Sequence, residues 1–156
     1  MEGVQRDGPL GTWSDDPGVF TCAPVEAGDL FVEGATVLRN VGRQPAHIVE
    51  VQLQHPDGVE LIDLYRYSPE GNGWNLVGLV PGTALDYPLL PTADRRHVLF
   101  DGTWVEPGEE IALILQLRLT ADRATFDRVV VDYVVDGEAY EFRGNFRYEV
   151  RREWCF

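Results

Sequence analysis

The sequence predicts an all-β fold, an antiparallel β-sandwich of roughly six to nine strands. Three observations carry this reading. Apolar residues recur with period two, the repeat of a half-buried strand. Gly, Pro, Asn and Asp interrupt the apolar runs roughly every eight to twelve residues, as turns between strands would. No helical periodicity lasts three turns. With 156 residues, 44% hydrophobic and 25% charged, the chain is long enough to bury a substantial core and has an ordinary globular composition.

Residues 1–18, rich in Gly, Pro and Asp, read as a flexible linker or tail, and residues 19–156 as a single sandwich domain. Val19–Cys22 and Leu30–Val32 read as short strands. Ala35–Val41 is firmer and stops at Asn40-Val41-Gly42. In Ala46–Gln54, His47, Val49, Val51 and Leu53 fall on one face, with Glu50, Gln52 and Gln54 on the other. The turn His55-Pro56-Asp57-Gly58 then leads into Val59–Tyr67, so 46–67 reads as a hairpin. From Ser68 to Arg96, Gly and Pro break every apolar run. A short strand over Trp74–Val80 fits there, the rest being ordered loop of the kind that often binds partners. His97–Phe100 is a further short strand.

Glu106-Pro107-Gly108-Glu109 opens the clearest strand, with Ile111, Leu113, Leu115, Leu117 and Leu119 on one face and Gln116 and Arg118 on the other. Burying those five side chains contributes on the order of 10 kcal/mol before entropy, which demands a central core position. Thr120–Thr125 reads as a crossover loop. Phe126–Val135 and Glu138–Tyr148 flank Asp136-Gly137, the strongest two-residue hairpin signal.

At three places the residues resemble bacterial immunoglobulin-like surface modules. Val37-Leu38-Arg39-Asn40-Val41-Gly42 is similar to their strand-Asn-x-Gly signature. Val105-Glu106-Pro107-Gly108-Glu109-Glu110 resembles the Pro-Gly turn before their core strand, and Val131–Gly137 resembles their final hairpin. The resemblance spans roughly residues 30 to 148, and its turn-and-strand chemistry specifies fold more than function. It implies an immunoglobulin-like β-sandwich serving as spacer, adhesin or docking surface, with no catalytic residues to carry over. The chain departs from antibody-type domains in having no core-strand cysteine pair astride a tryptophan, and from adhesion-type modules in its long 68–96 segment.

Charge narrows the partners. Thirteen basic residues stand against 26 acidic ones, a net charge of −13, and every basic residue is arginine. A chain without lysine forms no Schiff base and has no P-loop lysine. The densest basic pairs, Arg95-Arg96 and Arg151-Arg152, are too small to attract a phosphate backbone or an anionic membrane, so nucleic acid is disfavoured as a partner. No apolar run approaches the roughly 20 residues of a membrane-crossing helix, and no direct membrane insertion is expected. A protein partner is expected. Acidity serves solubility, and it also suits a cationic partner, as in inhibitors of basic toxins. The lack of lysine beside abundant Arg, Ala, Val and Gly resembles proteins of high-GC bacterial genomes.

Cys22 and Cys155 are the two cysteines. They form no CxxC pair, and domain ends often lie close together, so a bridge between first and last segments is expected. Such a bridge would stabilise by on the order of 5 kcal/mol in the chain-entropy model and would place the protein outside the cytoplasm, secreted or at the cell surface. The alternative is two unpaired buried thiols. Met1–Pro9 lacks the apolar stretch of a secretory signal, so either a signal or anchor has been removed upstream or the disulfide inference fails.

No catalytic set assembles from the sequence. Ser14 and Ser68 lie in no nucleophile elbow, and neither cysteine has a histidine nearby in the chain. His47, His55 and His97 are scattered, the turn carboxylates match no calcium-loop pattern, and no metal or cofactor is expected. Of the tryptophans Trp13, Trp74, Trp104 and Trp154, Trp74 in its Gly-rich segment is the best candidate for an exposed ring, with Tyr65, Tyr67 and Tyr87 in its neighbourhood. Trp154 beside Cys155 reads as packing on the bridge. The resulting expectation is a non-enzymatic, extracytoplasmic binding or assembly module of a cell-surface or secreted complex. The alternatives are an acidic inhibitor or immunity-type protein and a carbohydrate-binding module.

Overall fold

A computed structural model describes residues 8–11, 19–24, 30–67, 77–81, 103–144 and 146–151. In chain order the strands are β1 (Leu10–Gly11), β2 (Val19–Pro24), β3 (Leu30–Asn40), β4 (Ala46–Gln54), β5 (Val59–Tyr67) and β6 (Val77–Pro81). They continue as β7 (Thr103–Val105), β8 (Glu110–Leu119), β9 (Arg123–Phe126), β10 (Arg128–Val135), β11 (Glu138–Arg143) and β12 (Phe146–Arg151). The described residues include no helix.

The strands form three sheets: β1-β3-β8-β5 with β6 also on β3, then β11-β10-β4-β7, then β2-β12-β9. All pairings are antiparallel except β2 with β12. One hydrophobic cluster joins the sheets, with Phe31, Leu38 and the β8 leucines from the first, Ile48, Val51, Val131 and Tyr133 from the second, and Phe126, Tyr148 and Val150 from the third. The arrangement is all-β and sandwich-like.

Strand β8 is central, bonded to β3 on one edge and β5 on the other. Ile111, Leu113, Leu115, Leu117 and Leu119 are all core, as their period predicts. Its second face is also buried: Ala112, Ile114 and Gln116 lie inside, beside Val32, Val37 and Tyr65. The Gln116 side chain is satisfied there by donating Nε2–H to the Phe31 carbonyl at 3.1 Å. Buried Glu33 on β3 accepts the Tyr148 hydroxyl at 2.9 Å, a hydrogen bond that ties the first sheet to the third.

Two sequence motifs meet at one end of β3. Buried Asn40 donates Nδ2–H to the carbonyls of Gln44 and Val105 at 2.8 and 2.9 Å, while its Oδ1 accepts the Gly42 amide at 2.9 Å. Its backbone bonds Glu109 and Gly108. The Pro107-Gly108 turn closes with Glu109 N–H on Glu106 O at 2.9 Å, and Gly108 has φ 79°. That is the left-handed second corner of a type II turn, where Gly is favoured.

The structure corrects several expectations. Twelve strands are described rather than six to nine, because edge and switch segments too short to show a period still bond as strands. Residues 46–67 do not form a hairpin: β4 bonds β10 and β7, and β5 bonds β8 in another sheet. Both edges of β4 are occupied, so the 55–58 turn carries the chain between layers. Leu30–Val32 and Ala35–Val41 form one strand with a register shift between Glu33 and Thr36. Arg123–Phe126 is a strand, not crossover loop, and the predicted Phe126–Val135 strand breaks at Asp127.

The predicted partner strand Glu138–Tyr148 likewise breaks after Arg143. Across both breaks one long hairpin persists, the β9–β12 half resuming one residue out of register with β10–β11. The tip behaves as expected: Asp136 and Gly137 have φ 49° and 79°, the positive values of a type I′ turn. Val77–Pro81 lies within the 68–96 segment as β6 on the edge of β3. His97–Phe100 lies outside the described residues.

Candidate functional site

The solvent face of the β11-β10-β4-β7 sheet is the candidate site, and a bulge shapes it. Opposite β10, Asp132 pairs with Glu50 but Tyr133 with Ile48, so Val49 is an extra residue in β4. Ile48 and Val51 point into the core, while Val49 and Glu50 are both turned out. The face anticipated for His47, Val49, Val51 and Leu53 is therefore split, because a one-residue insertion reverses the alternation beyond it.

Two cross-strand rows result. In the first, register places Trp104 of β7 beside His47 of β4, then Val134 of β10 and Ala139 of β11. The Trp104 ring is 53% exposed and stacks on His47, with centroids 4.5 Å apart and planes 9° from parallel. Val49, 44% exposed, adds apolar surface from the bulge. The strand carrying Trp104 is braced from the neighbouring sheet: Arg66 of β5 donates to Thr103 Oγ1 at 2.8 Å and to the Trp104 carbonyl at 2.6 Å, and pairs with Glu109 at 2.6 Å.

The second row is acidic: Glu50, Asp132 and Glu141 stand side by side across β4, β10 and β11. Partial burial, then the charges of Glu141 and Glu50, push the Asp132 carboxyl above the usual carboxylate range. Arg143 Nε pairs with Glu141 Oε1 and leaves the row with a net negative charge. Among the described residues, no group of three His, Cys, Asp or Glu side chains has the arrangement of a metal-ligand set.

The sequence-derived candidates fall elsewhere. Tyr65 is buried against the second face of β8, its hydroxyl donating to Asp63 at 3.0 Å. Tyr67 ends β5 opposite Ala112, and its side chain lies outside the described residues. Trp74, Tyr87 and Cys155 lie outside them, as does the side chain of Cys22. His55 bonds Asp127 at 2.6 Å, just past the far end of β4 from His47. Sequence reasoning passed over Trp104, although alternation with Thr103 and Val105, both buried, already sets its ring on the opposite face.

A scan against protein-family models finds no match to this chain, and a search of curated proteins finds no relative. The class defined by fold and face together is thus an all-β, sandwich-like protein presenting an aromatic row beside a carboxylate row.

Proposed function

We propose that this protein is a non-enzymatic binding or assembly module of a cell-surface or secreted complex, built as an immunoglobulin-like sandwich. The strand orders support that architecture. Taking β1, β3, β4, β5, β8, β10 and β11 as strands A to G, the sheets read A-B-E-D and G-F-C, the immunoglobulin constant-type pairing. The departures are β7, which occupies the edge beside strand C but follows strand D in the chain, β6 on strand B, and the third sheet β2-β12-β9. An extracytoplasmic location rests on the Cys22–Cys155 bridge. Its support is that β2 pairs in parallel with β12, which sets Cys22 opposite Glu149, six residues before Cys155.

The observation that carries the reading is Trp104, a large residue stacked on His47 with more than half its surface in water. Exposed aromatics with fixed geometry contribute contact area at little entropy cost and are enriched at binding surfaces. The expected outcome is that Trp104→Ala abolishes capture of the partner taken by wild type from the native surface fraction, with the melting temperature unchanged. Equal capture by both proteins removes this face from the reading. The exposed ring also suits a sugar, and saturable binding on a glycan array would replace the protein partner with a carbohydrate.

A further inference from the structure

We propose that the partner presents an extended basic segment to the β11-β10-β4-β7 face, with an arginine or lysine over Glu50, Asp132 and Glu141 and an apolar side chain over Trp104, His47 and Val134. This rests on the docking reading above and specifies the chemistry of what docks.

Spacing is the first support. Asp132 and Val134 are two residues apart on β10, so the acidic and aromatic rows lie about 6.5–7 Å apart. An extended segment running along β10 places its own residues i and i+2 at that same separation on one side. An apolar residue and a cation two apart therefore reach both rows at once. Charge is the second support. The acidic row joins three carboxylates from three adjacent strands, and among the described residues Arg143 on Glu141 is the cation paired with it. Adjacent strands are about 4.8 Å apart, so neighbouring carboxylates fall within the span of one guanidinium fork. Asp132 is raised first by partial burial and then by the charges of Glu141 and Glu50, and a cation over the row would offset the second of these causes. Surface apolarity is the third. Trp104 and Val49 remain exposed beside the row, which suits a polypeptide carrying both kinds of side chain better than a bare ion.

The test uses three synthetic nonapeptides added to the full chain, followed by backbone amide shifts in NMR. The first carries arginine and leucine two residues apart; the second replaces arginine by glutamate; the third replaces leucine by serine. The expected result is saturable shifts confined to β4, β7, β10 and β11 with the first peptide, weakening steeply with added salt. The glutamate peptide should bind at least about tenfold more weakly, as should the first peptide on the Glu50→Gln/Asp132→Asn double variant, a change of about 1.4 kcal/mol. Equal binding of arginine and glutamate peptides, lost in Trp104→Ala but unchanged in the double variant, overturns the basic partner and leaves the docking face standing. Shifts mapping elsewhere, or none at millimolar peptide, overturn both. Melting temperatures equal to wild type show that the variants are folded.

Discussion

Asn40 is fully buried, yet its amide nitrogen meets two carbonyls and its oxygen one amide. It joins the end of β3, the 41–45 turn and β7 at one point, which is the physical content of the Asn-x-Gly signature. Asn40→Ala leaves three backbone groups without that partner and is expected to cost about 1–3 kcal/mol in urea unfolding. Asn40→Asp should cost more at neutral pH than in mild acid, because a carboxylate would face two carbonyl oxygens.

Tyr65 makes a second residue-scale prediction. Burial, then the hydrogen bond and charge of Asp63, push its phenol up to about 12 from an ordinary 10.0. The folded state thus favours the neutral phenol. That contribution is fully present below pH 10 and is lost as pH rises towards 12. Tyr133 and Tyr140 are also raised, so tyrosinate absorbance should show a late-titrating step whose amplitude Tyr65→Phe lowers by one phenol. A titration unchanged by the variant would contradict the burial of that hydroxyl.

At the scale of the element, β8 and β4 behave oppositely under the same pattern. On β8 the five alternating side chains from Ile111 to Leu119 are all core, and the opposite face is buried as well, so Leu115→Ala is expected to destabilise by about 2–5 kcal/mol. On β4 the extra residue at Val49 moves it to the surface. Val49→Thr is therefore expected to change stability by no more than about 0.5 kcal/mol. Had strict alternation run unbroken back from core Val51, Val49 would be core and the substitution costly. Denaturant unfolding of the two variants, side by side, separates these cases. The bulge was illegible in Ala46–Gln54 because nothing in the local order of residues marks where the partner strand skips one.

For the whole molecule, the net charge of −13 and the β2–β12 pairing bear on assembly and covalent closure. Non-reducing peptide mapping is expected to find the Cys22 and Cys155 peptides linked. Cys155→Ala should then lower stability by about 2–5 kcal/mol. Two free thiols after purification under oxidising conditions would remove both the bridge and the extracytoplasmic reading.

Period and turn chemistry alone determined the all-β class, the core role of the β8 leucines, the Asp136-Gly137 hairpin tip and the Pro107-Gly108 turn. Each depends on side-chain alternation or a backbone angle encoded within a few residues. Tertiary structure alone decided that β4 and β5 belong to different sheets, that the 126–148 hairpin divides between two of them, and that Trp104 comes to lie beside His47. Every strand presents the same edge amides and carbonyls, so local sequence does not choose between neighbours. That choice falls to the packing of all apolar faces together, which also selects the side chains left in water to form a surface.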